Sequence, residues 1–379
     1  MILSAPVTSQ RIDFRPDLRP FVVGILRGEG SGPELIDAAC SVLDAVAESC
    51  RLNFCVKTGG DIGFLSAERT GEFLTDEVAE FCREIFADGG AIMAGAAGGR
   101  FVYDMRRRFD LYYKLNPLRS YSELRDVCRI TLPAKPLDIL VVRENLQDVY
   151  QGNSVEASCE DGREILHTCV HREKQVRAVL EVAATAAQRR RNILFVIGKN
   201  SGLPAIHSLW RACALEVAGA SGVNVLLLDI DYAAYKLLQE PESFDVVVAP
   251  NCFGDILSDL GGVLAGSRGL TFGASYAADG AAVYQTNHGA AHDRAETDTA
   301  NPVGQIFSMA MMLRESFSLQ SAARLIEDAV QAVWRAGWRT ADLTEPGCKV
   351  AGTRQFGELV AREIQSAGVR EYEACSAAS

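Results

Sequence analysis

Six short runs in which nearly every residue is apolar punctuate the chain: "FVVGIL" from residue 21, "GGAIMAG" from 89, "LDILVV" from 137, "NILFVIG" from 192, "NVLLLDI" from 224 and "FDVVVAP" from 244. Continuous rather than alternating hydrophobicity predicts strands covered on both faces. Between them, "GPELIDAACSVLDAVAESC" and "REKQVRAVLEVAATAAQRRR" place apolar residues at helical spacing. The pattern therefore predicts an α/β fold with a substantially parallel sheet. Polar residues follow the strands at their downstream ends: Arg143 and Glu144, Lys199, Asp231, and Asn251. Ligands of open α/β sheets bind outside the carboxyl ends of the strands, so these ends are expected to converge on one polar pocket.

Composition narrows the partners. A chain of 379 residues, 48% hydrophobic and 23% charged, has room for two domains and an extensive core. Its net charge of -11 disfavours nucleic acid and anionic membranes, which require clustered cations. The eleven cysteines are scattered without CxxC pairs, which argues for reduced thiols rather than a disulfide framework or zinc knuckle. The first twenty residues lack an apolar signal core and no later run reaches membrane-spanning length, so a cytoplasmic protein is expected. The C-terminal "YEACSAAS" reads as a loose tail.

The segment "NCFGDILSDL" at 251–260 carries candidate chemistry. A helix starting near Asp255 would set Asp255 and Asp259 one turn apart on a common face. Their repulsion would be relieved by a hard divalent cation, magnesium or manganese. Taken alone, the pair also suits ordinary helix-surface charge; Asp231, ending another strand, strengthens the metal reading. His167 and His171 would lie one turn apart on a helix, with nothing nearby in sequence to complete a zinc site.

The longer segment "FDVVVAPNCFGDILSDLGGVLAGSRGL" resembles the signature of the metal-dependent isocitrate and isopropylmalate dehydrogenases, the β-decarboxylating dehydrogenase family. Further marks are "GEGSGPE" at 28–34, "VVRENLQDVYQG" at 141–152, "HGAAHDRAETDTANP" at 288–302, "WRTADL" at 338–343 and "GTRQFGELVARE" at 352–363, which together cover nearly the whole chain. The resemblance implies two α/β domains around a central cleft, one from residues 1–111 and 266–379, the other from 112–265. It is not a Rossmann fold: Gly28, Gly30 and Gly32 are spaced G-x-G-x-G rather than G-x-G-x-x-G. It also implies a homodimer with shared active sites, Asp255 and Asp259 holding the metal in one subunit and Asp231 coming from the partner.

By the same resemblance, Lys199 and Asp231 handle the hydroxyl proton of the substrate, and Tyr150 protonates carbon after loss of CO2. Arg106 and Arg143 match two of three arginines that grip a malate-like core; Asn116 stands where the third is expected. Val102 and Arg100 fall at the specificity positions, and Arg100, Arg107 and Arg108 form a basic cluster suited to an extra anion such as a phosphonate. The dinucleotide loop maps to Gln285–Asn301, with His288, Gly289 and Asn301 matching. Asp293 favours NAD, because a carboxylate accepts from ribose hydroxyls and repels a 2'-phosphate. Ser201 falls near the nicotinamide end. Gln285, Ser201 and Asn116 depart from the family pattern.

The resulting expectation is NAD-dependent, divalent-metal-dependent oxidative decarboxylation of a 3-substituted malate-type hydroxy acid. Two alternatives stand beside it: a tartrate-like dehydrogenase that does not decarboxylate, and a catalytically silent subunit of a larger dehydrogenase. Retention of Tyr150, Lys199, Asp231, Asp255 and Asp259 weighs against the silent subunit.

Overall fold

A computed structural model describes residues 19–377 except 129, 131 and 134; the N-terminal reading of the sequence thus lies almost wholly outside the described residues. Five apolar segments begin the description of the sheet: β1 (Phe21–Leu26), β2 (Phe54–Thr58), β3 (Ala91–Ala94), β4 (Tyr113–Arg119) and β5 (Asp138–Glu144). A hairpin follows, β6 (Asn153–Cys159) and β7 (Gly162–Thr168), then β8 (Ile193–Gly198), β9 (Asn224–Asp229), β10 (Val246–Ala249), β11 (Phe272–Tyr276) and β12 (Ala282–Thr286). All but β6 and β7 join one ten-stranded sheet in the order β2-β1-β3-β12-β11-β4-β5-β10-β8-β9.

Both ends of this sheet are parallel, as the continuous apolar runs predict, while the centre is not: β11 pairs antiparallel with β12 and with β4, and β4 antiparallel with β5. Strands β5, β10, β8 and β9 are mutually parallel, so the polar residues at their carboxyl ends emerge along one sheet edge. The expectation of two-sided burial fails for β9. It is the outermost strand, and Leu226 is 47% exposed.

Helices cover the sheet: α1 (Gly32–Cys50), α2 (Phe64–Thr70), α3 (Asp76–Ala87), α4 (Phe101–Arg108), α5 (Glu173–Gln188), α6 (Pro204–Ser221), α7 (Ile230–Gln239), α8 (Asn251–Ala265), α9 (Val303–Glu315), α10 (Gln320–Arg335) and α11 (Thr353–Ala377). Buried apolar positions on α1 and α10 follow helical spacing, leaving a polar outer face. Helix α9, "VGQIFSMAMMLRE", is buried from Val303 to Arg314, as befits a largely apolar helix enclosed by its neighbours. The segment expected as a loose tail continues α11 to Ala377.

The exposed apolar side chains of the described residues include two groups on neighbouring elements. Every residue of β6 and β7 is exposed, including Val155, Ile165 and Leu166. Tyr232 and Tyr235 of α7, with Ile256 and Val263 of α8, form the second.

Candidate active site

Helix α8 begins four residues earlier than the sequence suggests, with Pro250 at its N-cap, which places Asp255 in its second turn and keeps Asp255 and Asp259 one turn apart. Gly254 permits this placement: a Cβ there would come within 2.9 Å of Arg143 Cβ and Cγ, so only glycine lets the helix lie so close to β5. Arg143 in turn donates through Nε and Nη2 to Oδ1 of buried Asn251, at 3.0 and 2.8 Å, and forms an ion pair with Asp255. Asn251 passes the contact on, donating from Nδ2 to the Gln147 carbonyl at 3.1 Å.

Above this pair sits an aromatic step. The Arg143 guanidinium lies 5.6 Å from the Tyr150 ring centre, and Tyr150 meets Tyr103 edge-on at 5.7 Å. Arg106 and Arg100 flank the Tyr103 ring at 5.6 and 5.3 Å. The Tyr150 hydroxyl is hydrogen-bonded with the Cys252 thiol, and burial above all, reinforced by this bond and by Asp255, pushes its pKa far above the ordinary tyrosine value. It holds its proton throughout the neutral range. Arg106 is buried, and neither its Nε nor its Nη1 finds an acceptor; burial and then the adjacent Arg143 lower its pKa. Both amide atoms of Asn116 are likewise buried without partners.

Lys199 and Asp231 form a separate cluster. Lys199 Nζ lies 2.7 Å from Asp231 and 3.7 Å from Asp229. The hydrogen bond between them raises the lysine pKa and lowers that of Asp231, so both are ionised at neutral pH. Asp259 instead pairs with Arg268 at 2.8 Å. Within one chain, therefore, the carboxylates at 255 and 259 share a helix face while Asp231 is paired with Lys199, and the three aspartates do not gather within 4.8 Å of one another.

Comparison with known proteins places this arrangement. The family model for isocitrate/isopropylmalate dehydrogenase matches residues 22–360. The chain belongs to the isocitrate/isopropylmalate dehydrogenase family. The 3-isopropylmalate dehydrogenase of Nitratidesulfovibrio vulgaris is 36% identical over 358 residues, covering 90% of this chain and 98% of that protein. That of Carboxydothermus hydrogenoformans is 35% identical over 366 residues, covering 91% and 95%. The crystal structure of isocitrate dehydrogenase from Methylococcus capsulatus superposes with a TM-score of 0.82 at 27% identity, covering 91% of this chain and 99% of that one. The chain is thus an oxidoreductase acting on a CH–OH group, in a family whose chemistry is metal-dependent oxidative decarboxylation of a hydroxy acid.

Family membership directs attention to the loop after β12. Ser31, in the "GEGSGPE" turn, donates from its backbone N and its Oγ to the Ala290 carbonyl, at 2.7 and 3.0 Å, fastening this loop to the start of α1. Gln285 and His288 are half-buried, Gly289 and Asp293 exposed. His288 Nδ1 lies 2.9 Å from the Gly289 carbonyl, and burial lowers its pKa. Asn301 is engaged internally: Nδ2 donates to Asp342 at 3.1 Å and Oδ1 accepts from the Val303 N–H at 3.0 Å. It shapes the loop through the "WRTADL" motif. Ser201 is exposed at the turn before α6.

The donor set suits a hard cation. Asp255 and Asp259 offer carboxylate oxygens on one half-exposed helix face, without thiolate or imidazole. His167 and His171 do not share a helix: His167 lies in β7 and His171 in the loop before α5, because the alternating segment 153–168 forms a hairpin. Contrary to the sequence reading, His171 has potential ligands nearby, its donor atoms and those of Asp148 and Cys169 lying within 4.8 Å of one another. Asp148, however, already accepts from the Val149 and Cys252 N–H groups at 2.8 Å, and His171 Nδ1 accepts from Trp210 at 3.3 Å, a hydrogen-bonded tie rather than an open site.

The basic cluster at 100–108 is also partly committed. Arg108 pairs with Asp76, Arg107 donates to Gln151 Oε1 at 3.0 Å, and Arg100 makes only a loose 3.7 Å pair with Asp104. Of the three, Arg100 reaches the site, through Tyr103; Val102 is half-buried beside it. One residue escaped the sequence reading altogether. Lys114, buried in β4, feels Arg106, Arg143, Asp255 and Asp259 as its electrostatic neighbours. The signal was a lysine within the apolar "LYYKLNPL", two positions from Asn116.

Proposed function

We propose that this chain is an NAD-dependent, magnesium- or manganese-dependent dehydrogenase that oxidises and decarboxylates a 3-substituted malate, with Asp255 and Asp259 of one subunit and Asp231 of its partner holding the cation. The observation that carries this reading is Arg143, fixed by Asn251 beside Asp255 and beneath Tyr150. An anion receptor, a hard-oxygen ligand and a proton donor thereby adjoin one another. When bound at Asp255, Asp259 and the partner's carboxylate, the cation would supply Lewis acidity, and a dinucleotide at the loop after β12 would supply the hydride acceptor.

The chain's own residues do the rest. Arg106 and Arg143 receive the malate carboxylates, and the fixed guanidinium planes orient the C2 hydrogen. Lys199 and Asp231 carry away the hydroxyl proton: Asp231 raises the pKa of Lys199 in the isolated chain, and engagement of Asp231 by the cation would withdraw that anion and make the lysine easier to deprotonate. Tyr150, which retains its proton at neutral pH, protonates carbon after CO2 departs. Arg100 and Val102 line the seat of the C3 substituent, and an anionic group such as a phosphonate would meet Arg100.

Gly289 and Asp293 are exposed on a loop fastened at Ala290, which supports dinucleotide binding there, with Asp293 selecting NAD. The exposed apolar faces of α7, α8 and the β6–β7 hairpin support a homodimer. The strand order, in which the strands of 21–94 and 272–286 lie together and meet those of 113–249 at the β11–β4 pair, supports the division into domains at 111 and 265.

The test is NADH formation by the purified chain with Mn2+ and a panel of 3-substituted malates, with CO2 measured in parallel. Equal NADH and CO2 are expected. NADH without CO2 would indicate a tartrate-like dehydrogenase, and tight Mn2+ binding without turnover a silent subunit.

A further inference from the structure

We propose that Lys114 is a substrate-binding residue, its ammonium replacing the guanidinium expected at position 116 so that Arg106, Lys114 and Arg143 together form the carboxylate cradle. This rests on the dehydrogenase reading above and deepens it.

The strand register makes the case. Lys114 is paired directly with Arg143 across the antiparallel β4–β5 ladder, so their side chains leave the sheet on the same face. Asn116, two residues along β4, shares that face. A like-charged pair directly opposed across a ladder is unfavourable even in water. Here Lys114 is 4% exposed, Arg143 3% and Arg106 3%, which removes the solvent that would screen them. Among the described residues, the only ion pair made by the three is that of Arg143 with Asp255. Arg106 has two buried nitrogens without an acceptor, and Lys114 forms no ion pair with any described residue. The chain thus gathers three buried basic side chains around one direct carboxylate contact. Packing offers no reason for the surplus positive charge, whereas a bound dicarboxylate would neutralise it.

Local sterics show how the lysine takes over. Asn116 is fully buried with neither amide atom bonded, and it leaves volume that an arginine would fill. Both side chains lie over Gly273 of β11: a Cβ built there would stand 2.5 Å from Asn116 Oδ1 and 3.0 Å from Lys114 Cε. Glycine at 273 and the short amide at 116 together open the channel that the Lys114 stem occupies. Burial first, and then Arg106 and Arg143, lower the pKa of Lys114 well below that of an ordinary lysine; an arriving anion would hold the proton in place. An ammonium is a compact point charge that makes no bidentate demand, so this cradle would grip one carboxylate oxygen where an arginine grips two.

The experiment compares full-length wild type, Lys114→Met and Lys114→Arg, with Mn2+, NAD and the 3-substituted malate that wild type turns over best. Lys114→Met is expected to raise KM at least tenfold with a smaller change in kcat, while raising the Tm of the substrate-free protein, because it removes a buried amine whose protonation is opposed by burial and by two neighbouring arginines. Lys114→Arg should recover part of the KM loss. A KM for Lys114→Met within twofold of wild type would overturn the proposal and leave the dehydrogenase reading intact. If wild type oxidises no hydroxy acid, the dehydrogenase reading fails separately, and calorimetry with malate still decides: binding by wild type that is lost in Lys114→Met supports the cradle, and equal binding or none in either overturns it.

Discussion

Oδ1 of Asn251 accepts two hydrogen bonds from one guanidinium, that of Arg143, at 3.0 and 2.8 Å. The first residue of α8 therefore fixes the orientation of a cation on β5, and the aspartate one turn later completes the grip. Asn251→Ala removes both bonds and also leaves the Gln147 carbonyl without its donor. Buried bonds to a charged group are worth about 1.5–3 kcal/mol each, and leaving the partners bare adds to the loss. The variant is expected to lose about 3 kcal/mol or more in urea unfolding, and with it most substrate affinity. Unchanged stability would show that water replaces the amide.

Glu144, adjacent to Arg143, gives the pH profile a sign. It is fully buried, and burial outweighs the backbone N–H groups of Leu146 and Gln147 that it accepts, pushing its pKa to about 7 from 4.5. Below the unfolded value both states hold the proton and no penalty arises. As pH rises from 4.5 to about 7 the unfolded chain ionises while the folded one retains its proton, so stability falls, then levels off. The full loss is on the order of 3–4 kcal/mol at most, from about 2.5 pH units at 1.36 kcal/mol each. Glu144→Gln should lose this slope, its Tm gaining on wild type between pH 5 and pH 8; parallel pH profiles would exclude Glu144 as the source.

Substitution at Asp259 tests the proposed metal seat apart from folding. Its pair with Arg268 is exposed, with side-chain accessibilities of 44% and 59%, and such pairs are worth about 0–1 kcal/mol. Asp259→Asn should therefore leave the metal-free Tm nearly unchanged while weakening Mn2+ binding at least tenfold by calorimetry. Asp255→Asn should do both harms, because it also takes the counter-ion from buried Arg143. Equal Mn2+ affinity in wild type and both variants would remove the proposed metal seat.

How far the sequence foretold this site depends on the physical range of each signal. The runs "FVVGIL" and "FDVVVAP" became β1 and β10 because two-sided burial leaves a local mark, continuous hydrophobicity. Strands β4, β11 and β12 carry polar and aromatic residues whose partners lie across the sheet, and so passed unnoticed. The segment 153–168 alternates on a hairpin with both faces exposed, which no burial pattern announces. Asp255 and Asp259 were legible because a helix fixes their relation within five residues. Lys114 was not, since what makes it unusual is Arg143, 29 positions away and directly across a ladder.

Asp293 is exposed on the cofactor loop and forms no ion pair with a described residue, so substitution there should leave folding untouched. On the proposed reading, Asp293→Ser would remove the acceptor for ribose hydroxyls and the repulsion towards a 2'-phosphate. The kcat/KM for NAD is expected to fall by about tenfold, the equivalent of roughly 1.4 kcal/mol, while that for NADP rises. An unchanged ratio of the two would assign cofactor choice elsewhere.

Arginine at position 116 alone is not expected to restore the ordinary family cradle, for reasons of packing. Asn116 Oδ1 already lies 2.5 Å from where a Cβ on Gly273 would stand, and the Lys114 stem runs alongside. Asn116→Arg alone would place a fourth basic side chain in a buried space with three, colliding with Lys114, and is expected to lower stability by about 3 kcal/mol or more. Adding Lys114→Asn frees both the volume and the charge. The double variant should therefore recover most of the stability lost by the single one, and turn over 3-isopropylmalate more efficiently than Lys114→Asn does. A double-mutant cycle in urea unfolding measures the coupling, which should exceed about 1 kcal/mol if the two side chains compete for one space. Additive effects would mean that positions 114 and 116 act independently.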